Sequence, residues 1–195
     1  MQNVNLALIG MRGVGKSNIS RRLGFAAKRP VLSTDLLLEY ETGQTIPAFI
    51  AAQGWPEFRD REYAIVTRIA ALDGVVVDCG GGVIVDLAED GSEVYSARCV
   101  DALRARGPVV WLRGDIDRLA AKTASDPNRP SLHETRSAAE IMRRREPMYA
   151  RAADVVIDVE GQKRSRLARE LALRFADDLG LDDELRATLR KKLTP

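Results

Sequence analysis

Gly10-Met11-Arg12-Gly13-Val14-Gly15-Lys16-Ser17 sets glycines, a lysine and a hydroxyl at the spacing G-x-x-x-x-G-K-S/T. Each residue type has a physical use there. The glycines let the backbone bend so that successive N–H groups converge on one phosphate. The helix that follows adds partial positive charge at the same point. Lys16 brings a full, mobile charge for the β- and γ-phosphates of a nucleotide, and the Ser17 hydroxyl is placed to hold Mg²⁺. Gly13, Val14, Gly15, Lys16, Ser17 and Asn18 are therefore the candidate nucleotide-binding residues. A glycine turn with no ligand is the competing reading; the complete motif, set between an apolar run and a helical stretch, disfavours it. The loop alone does not separate kinases from GTPases, ATPases or motors. No Asn-Lys-x-Asp, the usual guanine-reading motif, occurs in the chain, and 195 residues are too few for a motor.

A second set of residues lies scattered along the chain. Asp35 follows an apolar run in Ser33-Thr34-Asp35. Arg59 belongs to Phe58-Arg59-Asp60-Arg61-Glu62. Gly80-Gly81-Gly82 ends another apolar run, Arg129 sits in Asn128-Arg129-Pro130, and Arg145 opens Arg145-Glu146-Pro147-Met148-Tyr149. Taken singly, each has a plain structural reading. Asp35 reads as a helix cap, Arg59 as a surface ion pair with Asp60 or Glu62, and Arg145 as one more solvated arginine beside Arg143 and Arg144. The glycines read as a turn.

Short apolar runs must position these groups: residues 5–9, 30–32, 75–77, 109–112 and 155–157 read as strands. Helical stretches separate them at 17–27, 46–71, 100–106 and 138–151. Strands alternating with helices predict an α/β fold, a three-layer α/β/α arrangement around a five-stranded parallel sheet. Runs this continuously apolar belong inside such a sheet. Ligands collect beyond the carboxyl ends of its strands, where Asp35 and the triple glycine fall. Residues 86–96, acidic and glycine-containing, read as an exposed loop, and 125–130, with Pro127 and Pro130, as a second. We expect residues 1–160 to form the nucleotide-binding domain, with a lid around 122–134. After Gly161, Leu167, Leu171, Phe175 and Leu179 recur every fourth residue, as do Leu185, Leu189 and Leu193. Residues 161–195 thus read as a helical extension packed on the same domain, with a partner-binding helix as the lesser reading.

Composition narrows the classes further. With 45% hydrophobic and 30% charged residues the chain is globular, and no run reaches the length of a membrane helix. Thirty Lys and Arg against 28 Asp and Glu leave a charge of +2, and the short basic groups are interleaved with acids, so no nucleic-acid partner is expected. Cys79 and Cys99 are no disulfide framework, and the N-terminus lacks the pattern of a secretory signal. Both point to the cytoplasm. His133, the sole histidine, reads as a loop residue without a chemical role.

In this order and spacing the motifs closely resemble the shikimate kinase family. Its pattern is a P-loop, an acid after the second strand with Leu-Glu soon after, Phe-Arg-x-x-Glu, Gly-Gly-Gly, Arg-Pro-x-Leu in a lid, and Arg-x-Pro-x-Tyr; all six occur between about residues 4 and 160. The resemblance implies a P-loop kinase architecture of the nucleoside-monophosphate-kinase type. It implies ATP and Mg²⁺ as cofactors, shikimate as the small-molecule partner, and shikimate 3-phosphate, on the route to chorismate and aromatic amino acids, as product. It implies that Arg59 and Arg145 grip the carboxylate, that Gly80, Gly81 and Gly82 let the backbone approach the ring, and that Asp35 orients the attacking hydroxyl. Arg129 would act as an arginine finger in cis, Lys16 would serve the transferring phosphoryl group, and Lys122 would lie against the adenine. Such an enzyme would work as a monomer, without a membrane.

The sequence also departs from the family. Ser33 stands where members commonly carry a second acid that helps to hold Mg²⁺; Asp78, ending a run that looks like a Walker B strand, offers a replacement. The 86–96 segment is longer than expected, and Trp55-Pro56 replaces a more common Gly-Glu. The competing readings are a kinase for a related polyol acid or cyclitol, such as quinate or gluconate, and a nucleotide-binding regulator without catalysis that acts through its C-terminal helices.

Overall fold

Continuous apolar runs end up where they are hidden on both faces. In the computed structural model, which describes residues 4–123 and 136–193, the strands in chain order are β1 (Leu6–Ile9), β2 (Val31–Ser33), β3 (Val76–Asp78), β4 (Val85–Leu87), β5 (Glu93–Tyr95), β6 (Val109–Arg113) and β7 (Val155–Asp158). The helices are α1 (Lys16–Ala27), α2 (Thr34–Thr42), α3 (Ile46–Ala70), α4 (Ala97–Arg104), α5 (Ile116–Thr123), α6 (Ala138–Ala152), α7 (Arg164–Arg174) and α8 (Asp183–Lys191). The five-stranded sheet has the order β2-β3-β1-β6-β7 and every pairing in it is parallel. The α/β architecture expected from the alternation is the one found.

The centre of the sheet is the centre of the core. Leu6, Leu8, Ile9, Val76, Val109, Val110 and Leu112 have no measurable exposure. Each such side chain contributes roughly 1.5–3 kcal/mol by leaving water. Helix α1 packs against α7, α3 against α4, and α5 against α6. The expected apolar spacing of the tail is met: Leu167, Leu171, Phe175 and Leu179 are buried, and α8 follows against α7. Arg29, just past α1, donates from Nε to the Leu179 carbonyl at 2.8 Å and ties this tail to the sheet side of the molecule.

One local expectation is corrected and two local readings are refined. Residues 86–96 are not an open loop: β4 and β5 pair antiparallel, with Val85 opposite Tyr95 and Leu87 opposite Glu93. The acidic tip hid the pairing, because only Val85, Val94 and Tyr95 carry a strand signal. The stretch 46–71 is not one straight helix. Gly54 adopts φ 83°, ψ 169° and breaks α3, and Pro56, which lacks an N–H to donate, falls in the first turn after the break. Asp35 is not the cap of α2: Ser33 is, its hydroxyl accepting from the Leu36 N–H at 3.4 Å, while Asp35 stands in the first turn. Helices α2 and α5, each about two turns long, were not foreseen as helices.

Candidate active site

β1 runs into the phosphate loop and α1 leaves it. Gly13 and Gly15 take φ of 82° and 98°, left-handed values that a side chain would strain. Gly15 is the N-cap of α1, so the helix begins at Lys16 with its first N–H groups facing the loop. Lys16 Nζ reaches back to the carbonyls of Gly10 at 2.7 Å and Met11 at 3.3 Å. Two further basic side chains close on this loop. Lys122 at the end of α5 donates to the Gly13 carbonyl at 3.0 Å. Arg164, which opens α7, lies so near Gly15 that a Cβ there would sit 3.1 Å from its Nε. Arg164 was missed in the sequence because Lys163-Arg164 looks like any solvated basic pair. Asn18 turns the other way, its side chain accepting from Arg22 Nε at 2.7 Å along the outside of α1.

Asp78 ends β3 beside β1, in register with Leu8, and beside β2, in register with Ser33. Burial raises its pKa; the Ser17 hydroxyl, hydrogen-bonded to it, and the Lys16 charge offset this only in part. A hydroxyl beside a buried, incompletely compensated carboxylate suits Mg²⁺, which takes few protein ligands and fills the rest of its shell with water and phosphate oxygens. No group of three or more His, Cys, Asp or Glu that would form a closed metal cage exists among the described residues.

A cavity of about 500 Å³ opens next to the loop, with Met11 and Arg12 of the loop in its wall together with Asp35, Arg59, Gly81, Gly82 and Arg145. The triple glycine makes room for the charged groups. A Cβ on Gly80 would lie 2.3 Å from Asp35 Oδ1 and 3.1 Å from Glu62 Oε1; one on Gly82 would lie 2.8 Å from both terminal nitrogens of Arg59. Gly80 N–H donates to Thr34 Oγ1 at 2.7 Å, fixing α2 against the end of β3. The Gly81 carbonyl accepts from the Tyr149 hydroxyl at 2.5 Å, and the Tyr149 ring stacks on Trp111 at 5.7 Å between centroids.

Neither arginine is on the surface. Arg59 is 3% exposed and pairs with Glu62 at 2.6 Å. Its Nη1 also donates to the Gly82 carbonyl at 3.0 Å, and its Nε is buried without a partner among the described residues. Burial raises the pKa of Glu62, a push opposed by Arg59 and reinforced by the charge of Asp35. Arg145 donates from Nε to Glu93 Oε2 at 3.0 Å and from Nη2 to Glu93 Oε1. Its neighbour Arg143 is the solvated one, paired with Asp117 at the surface. Arg59, just after the helix break at Gly54, and Arg145 on α6 thus line the same cavity, with Trp55 and Phe58 against the Arg59 guanidinium at 5.6 and 5.1 Å. Glu62, Glu93, Arg136 and Tyr149 were not picked out as site residues. Glu62 and Tyr149 had a signal, since both stand in the quoted motifs; Glu93 and Arg136 had none. Arg129 and His133 lie outside the described residues.

The family model for shikimate kinase matches residues 12–176. The chain belongs to the shikimate kinase family. A shikimate kinase of Leptospira biflexa is 38% identical over 169 residues, which cover 86% of this chain and 93% of that protein. One from Pseudomonas syringae is 36% identical over 176 residues, 89% of this chain and 96% of that protein. Among solved structures, a shikimate kinase from Acinetobacter baumannii in complex with shikimate matches with a TM-score of 0.76 at 28% identity, covering 90% of this chain and 95% of that one. The family's activity is that of an ATP-dependent kinase, a phosphotransferase, and the resemblance read from the motifs holds over most of the chain. The match runs through α7, so that helix belongs to the stretch shared with the family.

Proposed function

We propose that this protein passes the γ-phosphoryl group of ATP to a ring hydroxyl of shikimate bound between Asp35, Arg59 and Arg145, giving shikimate 3-phosphate. The observation that carries this is the cavity that joins the phosphate loop to Asp35, Arg59 and Arg145. A ring acid with hydroxyls has complementary groups. Its carboxylate suits guanidinium forks, and its hydroxyl, at the loop end, suits Asp35.

The hydroxyl oxygen forms the new bond to the γ-phosphorus as the bond to the β-phosphate bridge breaks, and ADP leaves with the bridging oxygen. A carboxylate is a weak base toward an alcohol. In a loose transition state the hydroxyl keeps its proton until late, so Asp35 first orients it and then accepts the proton. Lys16 neutralises charge on the β- and γ-phosphates, Lys122 lies at the base of the nucleotide, and Arg129 would serve the transferring group. Ser17 and Asp78 hold Mg²⁺, which when bound supplies positive charge at the phosphates. Asp78 does so from the strand next to Ser33, where relatives of the family pattern carry the acid. The enzyme works in the cytoplasm as a monomer.

The test is ADP release from Mg·ATP by the purified protein with shikimate, quinate or gluconate. Strong stimulation by shikimate alone is expected. Protein that binds ATP yet shows no stimulation by shikimate would sink the assignment.

A further inference from the structure

The hairpin β4–β5 supplies a buried carboxylate to the rear of the acceptor cavity. Glu93 is 4% exposed, and its side chain grips Arg145 along the Nε–Nη2 edge with both oxygens. Arg145 lines the cavity and Glu93 does not. A guanidinium has donors on more than one edge. With one edge taken from behind, the donors that remain on Nη1 and on the far side of Nη2 are the ones left for the cavity.

The hairpin is itself fixed by contacts that do not involve this pair. Arg98 on α4 donates to Asp86 of β4 from Nε at 2.6 Å and from Nη2 at 2.9 Å, and to Asp60 of α3 at 2.7 Å. Ser96 N–H, just after β5, donates to the Ile84 carbonyl at 2.9 Å. On the α6 side, the Arg151 guanidinium lies 4.1 Å from the centroid of the Tyr95 ring. Glu93 is thus mounted on a braced element and can fix the side chain it holds. The need for such a hold is visible in the cavity: Asp35 and Glu62 are also there, and a long, untethered arginine would be drawn to either carboxylate and away from a ligand.

We propose that Glu93 is a positioning residue for acceptor recognition: it tethers Arg145 by one edge, keeps it off Asp35 and Glu62, and turns its other edge toward the substrate carboxylate. This rests on the reading that Arg145 binds that carboxylate. The longer 86–96 segment is then a built part of the substrate site.

The test is steady-state kinetics of the full chain, varying shikimate at saturating ATP and ATP at saturating shikimate, for the wild type, Glu93→Gln, Arg145→Ala and the double variant. Glu93→Gln should raise the KM for shikimate about tenfold, the scale of one charge-assisted hydrogen bond. The KM for ATP should stay at the wild-type value, and adding Glu93→Gln to Arg145→Ala should change nothing further. Glu93→Asp, which keeps the charge and shortens the reach, should give a smaller rise and serves if Glu93→Gln does not fold. An unchanged KM for shikimate in the Glu93 variants, an equal rise for both substrates, or full additivity with Arg145→Ala overturns the inference. A wild type inert toward shikimate, or an Arg145→Ala variant with an unchanged KM for it, instead removes the reading beneath it, and the inference with it.

Discussion

The phosphate end of the site is built around one contiguous stretch, residues 10–17, joined by Asp78, Lys122 and Arg164, and its cradle works largely through backbone N–H groups and a helix terminus. The acceptor end draws Asp35 from α2, Arg59 and Glu62 from α3, the glycines from the end of β3, Glu93 from β5 and Arg145 from α6. It works through side chains, and each arginine there is paired with a carboxylate, Arg59 with Glu62 in the cavity wall and Arg145 with Glu93 outside it. A backbone cradle needs only the local turn to form. A side-chain cradle needs several distant elements to arrive in register, so it is where a change far along the chain alters specificity.

The sharpest way to separate the two ends is to remove one charge from each. Lys16→Ala should lower kcat by about 10³-fold, the scale of losing a charge aimed at the transition state, with little effect on shikimate binding. Rapid-quench or steady-state assays at saturating shikimate would show it. Next in size is Gly80→Ala. Its Cβ would lie 2.3 Å from Asp35 Oδ1, and displacing the orienting carboxylate should cost about 100-fold in kcat while ATP binding by equilibrium titration stays intact.

Arg145→Ala should act on KM for shikimate, by about 10- to 100-fold, as expected for a charge-assisted pair. Arg59→Ala should do the same and also destabilise the fold, by about 3–5 kcal/mol, because Glu62 is left buried without its partner. Glu62 already has a folded-state pKa raised above its ordinary 4.5, and losing Arg59 raises it further. A raised pKa favours the folded state below the unfolded value and the benefit is lost as pH rises through the folded value. The stability deficit of Arg59→Ala should therefore narrow toward pH 4.5 and widen toward neutrality in thermal melts. The smallest effect belongs to Tyr149→Phe, which leaves the Gly81 carbonyl without its 2.5 Å donor. A loss of about 1 kcal/mol, read as a Tm lower by about 2–4 °C, is expected with kcat nearly unchanged.

Much of this was legible in the sequence, for reasons that follow the same contrast. The phosphate loop is local, so its eight residues announced both its shape and its ligand. The strand core was legible because Val75-Val76-Val77 and Val109-Val110-Trp111-Leu112 are apolar without interruption. Asp35, Arg59 and Arg145 became visible only as members of an ordered set, because an acid in a helix turn or an arginine beside others has an equally good structural use alone. Glu93 was not legible at all. It sits in an acidic stretch, Glu89-Asp90-Gly91-Ser92-Glu93, whose other charges face water, and its burial depends on pairing across 52 residues with α6. Arg164 was hidden for the same reason: nothing near it in sequence says that α7 returns to the phosphate loop.

The most direct test of the account is a crystal structure of the protein with shikimate and Mg·ADP. The account predicts the shikimate carboxylate within hydrogen-bonding distance of both Arg59 and Arg145, a ring hydroxyl on Asp35 facing the nucleotide, and Glu93 still on the far edge of Arg145. A shikimate molecule whose carboxylate instead rests on Arg12 or Arg136, with Asp35 unengaged, would contradict it.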